Sequence, residues 1–310
     1  MSEHDLLLAG HPASIEPARE ALELARADGA SSWGKSGLVN LLPLPVRQRL
    51  PPDPLQTERH CAEKVIQSFN TWAFKRTQPS DPQLMLRTVA RAIRFSRPLS
   101  FVLYWGKGPR CTVAQPDIQC LDFLGLLADR VRKSHAPGAA ISLIFTDTHA
   151  KLNGYPQFCT RAYFAQVRDA AYQHDFDTCW LGDLVRVPEI CATKRPDMDA
   201  APPAHTLARL TASARKWYRG PGTPEHGAFI YYRMNMVERS AVELAFPNSI
   251  FITFNGSELR ELFPERLPIF YMYSVRRGVS VKPWFLASDE TPCRTCTSRS
   301  CRCPHSTQLD

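Results

Sequence analysis

Short apolar runs alternate with amphipathic segments through the middle of the chain. Leu99 to Trp105 (LSFVLYW) is a continuous apolar and aromatic run of strand length. Comparable runs occupy Ala140 to Thr146, Thr178 to Leu184, Ser249 to Phe254 and Ile269 to Tyr273. Such runs, bounded by turn residues, predict strands that are buried on both faces of a sheet.

Amphipathic helices are predicted between these strands. Ser80 and Pro82 indicate a helix start, with Ser80 as the N-cap and a proline early in the first turn. Leu86, Val89 and Ile93 follow as an apolar stripe at helical spacing. Further helices are predicted near 117–134, 160–174 and 257–263, with a polar loop after the second strand. This alternation is typical of a doubly wound α/β fold, a mostly parallel sheet with helices on both faces.

Three regions are predicted along the chain. Residues 1–58 form an N-terminal extension with one predicted helix, Pro17 to Asp28, and a proline-rich stretch that cannot hold regular structure. Residues 59–287 form the α/β domain. Residues 288–310, rich in cysteine, arginine and serine, form a tail that we expect to be disordered.

Composition narrows the class of protein. The 310 residues are 44% hydrophobic and 22% charged, which excludes a wholly disordered chain, a collagen-like fibre and a membrane-embedded bundle. No run approaches the roughly 20 apolar residues of a membrane span, and the first residues are acidic where a secretory signal would be basic. We therefore expect a cytoplasmic protein with no membrane partner. Six cysteines scattered through ordinary segments are predicted to be reduced, buried thiols: Cys61, Cys111, Cys120, Cys159, Cys179 and Cys191.

Positive charge is concentrated in one part of the chain. The net charge is +8, and residues 59–110 carry ten basic residues against two acidic ones. A local excess of this kind indicates an anionic partner. One alternative is a nucleic acid bound on the face of Arg87, Arg91 and Arg94, but the sequence contains no helix-turn-helix, zinc-finger or RNA-reading motif that would support it.

Polar residues follow most of the predicted strands. They are Gly106, Lys107 and Arg110 after the first strand, Asp147, His149 and Lys151 after the second, Asn255 and Ser257 after the fourth, and Tyr273 and Arg276 after the last. In a doubly wound sheet, ligands bind outside the carboxyl ends of the strands. Glycines and cations suit a phosphate, and carboxyl and imidazole groups suit proton transfer. We expect these residues to meet around one cavity.

Three segments resemble the isonitrile synthases of the pyoverdine/dityrosine biosynthesis family. His135 to Asp147 is similar to a stretch in which a His-Ala-Pro-Gly-like turn leads into a strand ending in Ser-Asp-Gly. Phe101 to Lys107 resembles an earlier strand of the family that ends in a Pro-Gly-Lys turn. Ile252 to Pro264 resembles a later segment that leads through Phe-Pro into another strand. The three lie in the family's order.

The resemblance implies a Rossmann-like fold and a condensation that needs no cofactor and no metal. Enzymes of that family join the amine of an amino acid, commonly tyrosine or tryptophan, to the ketone of ribulose 5-phosphate and leave one carbon behind as an isonitrile. Carried over by position, Lys107 contacts the phosphate and Asp147 lies at the reacting centre. Small-molecule substrates are therefore the expected partners, and the oligomeric state is open.

Two positions depart from the family's pattern. A Phe-Ser-Asp of the family is replaced by Leu152-Asn153-Gly154, and a histidine near its C-terminal strand is absent from Tyr271-Met272-Tyr273-Ser274. We expect His149 and Tyr273 to carry proton transfer beside Asp147. The other seven residues at the strand ends are expected to bind substrate: Gly106, Lys107, Arg110, Lys151, Asn255, Ser257 and Arg276.

Two further motifs allow other readings. Gly29 to Ser36 matches the phosphate-binding pattern G-x-x-x-x-G-K-[ST], which makes an NTPase an alternative function. A helix-like segment precedes the motif, however, where such a site needs a strand.

The tail contains four cysteines and a histidine, which are enough ligands for one zinc ion: Cys293, Cys296, Cys301, Cys303 and His305. The tail lacks the folded, hydrophobic surroundings of a structural zinc site, and we expect no metal there.

Overall fold

The structure is a computed structural model, and it describes residues 54–106, 112–186 and 201–273 together with the backbone of two short strands at 275–276 and 279–280. The predicted N-terminal extension lies almost entirely outside these residues, as do the predicted tail, Lys107 and Arg110. The two predicted boundaries between the three regions therefore remain predictions.

Five parallel strands form the central sheet. They are β1 (Leu99–Trp105), β2 (Ala139–Phe145), β3 (Asp177–Trp180), β4 (Ile250–Thr253) and β5 (Ile269–Tyr271). Their order in space is β3-β2-β1-β4-β5, and every neighbouring pair is parallel. The chain therefore runs outward from β1 in one direction and then returns to continue in the other, which confirms the predicted doubly wound, Rossmann-like α/β fold. A separate antiparallel pair joins β6 (Val275–Arg276) to β7 (Val279–Ser280).

Eight helices and one 3₁₀ helix are described around the sheet. The helices are α1 (Pro54–Phe69), α2 (Pro82–Arg94), α3 (Gln115–Arg132), α4 (Asp147–Leu152), α5 (Gln157–Tyr172), α6 (Leu181–Val185), α7 (Ala204–Trp217) and α8 (Pro224–Ala245). The 3₁₀ helix is Ser257–Leu262. No helix within the described ranges is long and apolar enough to cross a membrane.

The two faces of the sheet are covered differently. Phe101, Leu103 and Trp105 point into a large core that also takes in α1, α2, α3 and α5. Val102 and Tyr104, which alternate with them along β1, face a smaller core built with α6 and α8. Helix α7 packs against α8 and, with the 3₁₀ helix, forms a third cluster further from the sheet. Period-two alternation along the strand therefore assigns neighbouring residues to two different environments.

Three sequence predictions about local structure are wrong. The third strand ends at Trp180 and not at Leu184, because the chain turns into α6 at Leu181. The segment after β2 is not an open loop, since it forms the short helix α4. Asp81, not Ser80, caps α2, and its carboxylate accepts a bond of 2.9 Å from the Leu84 amide. Ser80 instead pairs with edge strand β5, where its hydroxyl accepts a hydrogen bond from the Ile269 amide.

Candidate functional site

A cavity of about 440 Å³ lies at the carboxyl ends of β1, β2 and β4. Strands β1 and β4 are neighbours in the sheet, yet the chain leaves them in opposite directions, so this is the topological switch point where doubly wound folds bind ligands. Helices α7 and α8 and the 3₁₀ helix supply the outer wall. The cavity thus forms where the predicted strand-end residues were expected to meet.

The described lining combines an apolar wall with a polar one. Aromatic and aliphatic side chains come from the sheet, α7 and the 3₁₀ helix: Tyr104, Leu210, Trp217, Phe251, Leu259, Leu262 and Phe263. Hydrogen-bonding groups come mainly from α4, the turn after it and α8: His149, Asn153, Tyr155, Tyr231 and Asn235. Lys216 contributes a cation, and no carboxylate occurs among the described lining residues. Such a cavity suits a ligand with an apolar or aromatic part and a polar or anionic part.

His149 is held by a buried carboxylate. The imidazole Nε2 lies 2.8 Å from Glu238 Oε2, and the two side chains are only 5% and 1% exposed. The second carboxylate oxygen of Glu238 accepts a bond of 2.7 Å from the Thr148 hydroxyl. Both oxygens of the carboxylate are therefore engaged, as a buried charged group requires. An imidazole held in this way can receive and return a proton.

Tyr231 closes the side of the cavity next to His149. Its ring is nearly parallel to the imidazole, with centroids 6.3 Å apart and planes at 21°. Its hydroxyl donates a short hydrogen bond to Asn153 Oδ1, and burial raises the pKa of this phenol well above its usual range. The tyrosine therefore stays neutral and remains a donor near His149.

Tyr104 brings an unsatisfied polar group to the same side of the sheet. Its hydroxyl is buried and has no hydrogen-bond partner within the described part of the chain. Burial, and then the carboxylates of Glu238 and Glu243, raise the pKa of Tyr104 well above its usual range. Both of those carboxylates are already engaged: Glu243 accepts from the amides of Glu265 and Arg266. The phenol is therefore neutral.

Three of the ten predicted site residues line the cavity: Gly106, His149 and Asn255. Gly106 adopts a φ of +65°, and an added Cβ would lie 3.4 Å from the rings of Tyr163 and Phe164. The space would accept a Cβ, but the left-handed φ would strain any other side chain at this strand end, which explains the glycine.

Four predicted site residues with described side chains lie outside the cavity lining. Asp147 accepts a bond of 2.9 Å from the Gly182 amide, and an added Cβ at Gly182 would lie 2.6 Å from its Oδ2. Lys151 and Ser257 are exposed, and the Tyr273 amide donates to the Phe74 carbonyl. Asp147 therefore links the start of α4 to α6. The catalytic roles predicted for it and for Tyr273 remain predictions.

Several predictions fall on parts of the chain outside the described ranges. These are Lys107, Arg110, the side chain of Arg276, the motif Gly29 to Ser36 and the tail cysteines. Across the described ranges, no three His, Cys, Asp or Glu side chains are placed to hold a metal ion.

The positive charge on the face of α2 is partly neutralised within the fold. Arg94 donates two hydrogen bonds of 3.0 Å to Glu58.

A second, smaller hollow of about 260 Å³ lies at the opposite, amino edge of β1 and β4. Arg91, Arg97 and Phe95 line it, beside the C-terminal ends of α2 and α8. Helix C-termini carry partial negative charge, and basic side chains in the last turn offset it. Arg91 lies in the last turn of α2, and the guanidinium carbons of Arg91 and Arg97 lie 5.9 and 5.8 Å from the centroid of the Phe95 ring, so both arginines take part in packing within the fold.

Glu238 is the main site residue that sequence reasoning missed. It lies on α8 among the buried positions Tyr231, Ala241 and Val242, at spacings of seven, three and four residues. A lone carboxylate on the apolar stripe of a helix requires a partner, because a buried charge without one is strongly unfavourable. That pattern was a detectable signal. The partner itself, 89 positions away at His149, could only be found from the fold.

Comparison with known proteins gives structural likeness only. The crystal structure of the PvcA protein from Pseudomonas aeruginosa matches with a TM-score of 0.52 and 15% sequence identity, covering 73% of this chain and 100% of that chain. A tyrosyl-tRNA synthetase from Archaeoglobus fulgidus, complexed with L-tyrosine, matches at 12% identity and a TM-score of 0.37, covering 70% of this chain and 65% of the synthetase. No family model and no curated protein matches the sequence. At these identities the PvcA likeness shows a shared α/β fold.

Proposed function

We propose that the chain is a biosynthetic enzyme related to the isonitrile synthases, which joins the amine of an amino acid to a pentulose phosphate such as ribulose 5-phosphate. The observation that carries the proposal is His149, a strand-end imidazole held by buried Glu238 on the wall of a cavity at the switch point of the sheet. The three sequence segments that resemble the family, and a fold shared with PvcA, support it further.

The first step of such a condensation is proton transfer around a new C–N bond. The amine nitrogen attacks the ketone carbon, and the carbonyl oxygen leaves as water after gaining two protons, so the imine forms without a change of oxidation state. Two protons must leave nitrogen and two must reach oxygen in this step. An imidazole within hydrogen-bond reach can do both, and positioned acid–base catalysis contributes about 10²- to 10⁴-fold to the rate. In this proposal His149 carries those protons.

The rest of the cavity suits the two substrates. The apolar wall of Tyr104, Phe251 and Phe263 would pack against the side chain of the amino acid. Lys216, together with the predicted Lys107 and Arg110, would neutralise the phosphate. Gly106 and Asn255 would contribute backbone and amide hydrogen bonds between them.

Asp147 enters the proposal in a more limited way than the sequence resemblance implies. Its carboxylate is within bonding distance of the Gly182 amide, so an alanine substitution would disturb α6 as well as any chemistry. Loss of activity in D147A would therefore not assign it to the reacting centre. His149 is the better residue to test.

The test is product formation by the full chain. Purified protein is incubated with L-tyrosine or L-tryptophan and ribulose 5-phosphate labelled with ¹³C at the ketone carbon, and products are identified by mass spectrometry. We expect a labelled C–N product, and its rate of formation should fall at least 100-fold in His149→Ala. His60→Ala, an exposed histidine on α1, is the matched control and should retain full activity. Absence of product with the wild type, or an H149A variant as active as the wild type, would contradict the proposal.

A further inference from the structure

The contact between Glu238 and His149 constrains which ring nitrogen carries the proton. A carboxylate only accepts hydrogen bonds, so the 2.8 Å contact with Glu238 Oε2 requires a proton on His149 Nε2. In the neutral ring, the lone pair is then on Nδ1. The nitrogen available to take a proton from a ligand is therefore chosen by a residue that does not itself line the cavity.

Thr148 fixes the carboxylate in turn. Its hydroxyl donates to Oε1 at 2.7 Å, which leaves Oε2 directed at the neighbouring imidazole. Thr148 and His149 are consecutive residues in the first turn of α4, immediately after β2. The two hydrogen bonds therefore join one turn of α4 to one position of α8. Rotation of the carboxylate would break both bonds at once.

The ring has little freedom to adopt another arrangement. His149 is 4% exposed, and the ring of Tyr231 lies nearly parallel to it. A 180° flip of the imidazole would place the carbon Cε1 where Nε2 now lies, and so leave a buried carboxylate oxygen of Glu238 without its donor. Packing and hydrogen bonding therefore favour the same orientation.

We infer that Glu238, with Thr148, is a positioning residue that holds His149 in the Nε2–H tautomer and so makes Nδ1 its proton acceptor. The inference rests on the proposed function only in assigning proton transfer to His149. It goes beyond that function by naming the tautomer, the accepting atom and the residue that selects them. A purely structural tie between α4 and α8 would make no such selection.

The tautomer can be measured without any ligand. We would record two-bond ¹H–¹⁵N spectra of the full chain labelled with ¹⁵N-histidine at pH 8–9, where an ordinary imidazole is neutral. The His149 signals are identified by their loss in His149→Gln. We expect the wild type to show the Nε2–H form as at least 90% of the neutral ring. In Glu238→Gln, whose amide can present either an oxygen or an NH₂ group, the ratio of Nε2–H to Nδ1–H should fall at least tenfold.

Two further variants keep the test decisive. Thr148→Val removes one donor to Glu238 and should lower the same ratio by a smaller factor, so it serves if E238Q does not fold. Glu243→Gln alters a carboxylate one turn further along α8 that contacts the amides of Glu265 and Arg266, and it should leave the His149 signals unchanged.

Turnover adds a second measurement. In the ¹³C product assay, E238Q should lower kcat 10- to 100-fold and leave KM within twofold of the wild type, because Glu238 does not line the cavity. A wild-type His149 found as Nδ1–H, or protonated on both nitrogens, would overturn the inference, as would an unchanged tautomer ratio in E238Q. A wild type that makes no product but shows the expected tautomers would contradict the proposed function alone.

Discussion

Adjacent residues at the end of β1 lie in two different kinds of environment. Trp105 points into the larger core, where its indole Nε1 donates to the Tyr163 hydroxyl at 3.2 Å, and that hydroxyl donates to buried Asp117 at 2.7 Å. Tyr104 points the other way, toward α8 and the cavity, and its buried hydroxyl has no partner among the described residues. At the end of β1, the buried polar group on one face is hydrogen-bonded, and within the described part of the chain the one on the other face, beside the cavity, is not.

The difference between the two faces indicates that one face of the sheet contributes mainly to stability and the other forms the cavity. On the packed face, Phe145, Phe164 and Trp180 form a contiguous aromatic group in which Phe145 and Phe164 stack at 4.6 Å. On the cavity face, α7, α8 and the 3₁₀ helix hold the wall away from the sheet and leave room for a ligand. We therefore expect substitutions on the packed face to lower stability, and those on the cavity face to affect stability less.

The largest expected effect on stability comes from an aromatic truncation on the packed face. Phe164 is fully buried against Phe145, Tyr163 and Trp180. Phe164→Ala should lower the free energy of unfolding by about 3–5 kcal/mol, because it removes apolar contacts and leaves a void. Phe263→Ala, at the cavity wall, is the matched variant, and it should lose less because it enlarges a space that already exists. Urea denaturation of both measures the difference. Equal losses would remove the distinction between the faces.

The next largest effect is expected from a single hydroxyl on the packed face. Tyr163→Phe removes the donor to Asp117 and the acceptor for Trp105 Nε1, while the ring and its contacts stay. Each of the two lost bonds joins Tyr163 to a buried group, and the loss of such bonds costs about 1–3 kcal/mol, so this variant should be destabilised by that amount in urea. Tyr172→Phe, whose side chain is exposed on α5, is the control and should unfold at the wild-type midpoint.

The opposite sign is expected for the equivalent change on the cavity face. Tyr104→Phe removes a buried hydroxyl that has no partner, so the free energy of unfolding should rise by about 1 kcal/mol. Urea denaturation beside Tyr163→Phe tests the pair directly. A loss of stability in Y104F would mean that the free protein satisfies this hydroxyl, and the contrast between Tyr104 and Trp105 would disappear.

The local pattern of apolar residues was sufficient to predict most strands of the sheet. The run LSFVLYW coincides with β1 at both ends, and the runs for β2, β4 and β5 overlap the observed strands within two residues at each end. These strands are buried, so continuous apolar sequence specifies them. The third run continued beyond β3 because Leu181 and Leu184 are apolar, although they belong to α6. Apolar residues of a short buried helix and of a strand cannot be told apart by composition.

The candidate site was predictable in position but not in its partners. Gly106, His149 and Asn255 follow strands, so sheet topology alone brings them to one edge. Helices α7 and α8, which form the outer wall, were not predicted, although Thr223 and Pro224 begin α8 with a cap and a proline. Without these helices, neither Glu238 nor Lys216 could be placed near His149. Contacts between residues 89 positions apart depend on how helices pack, and no local pattern encodes them.

The smallest expected effect concerns a thiol on the cavity face. Burial, and then Asp177 and Asp183, raise the pKa of Cys179 from 9.0 to about 11. Between these values the unfolded chain has released the proton and the folded chain still holds it. Ionisation therefore favours unfolding, so the stabilisation from the neutral thiol is fully present below pH 9 and is lost as the pH rises toward 11.

Removal of this thiol should therefore reduce alkaline sensitivity. Calorimetry at pH 8, 9 and 10 should show a fall in melting temperature with pH that is smaller in Cys179→Ala by about 2 °C at pH 10. Cys61 was predicted to be buried but is exposed on α1, where the first turns of the helix face solvent, so Cys61→Ala should follow the wild-type curve. A C179A variant that loses as much as the wild type would mean that this thiol ionises equally in both states, and that β3 on the cavity face is open to water. On the cavity face, water would then reach one strand further into the sheet.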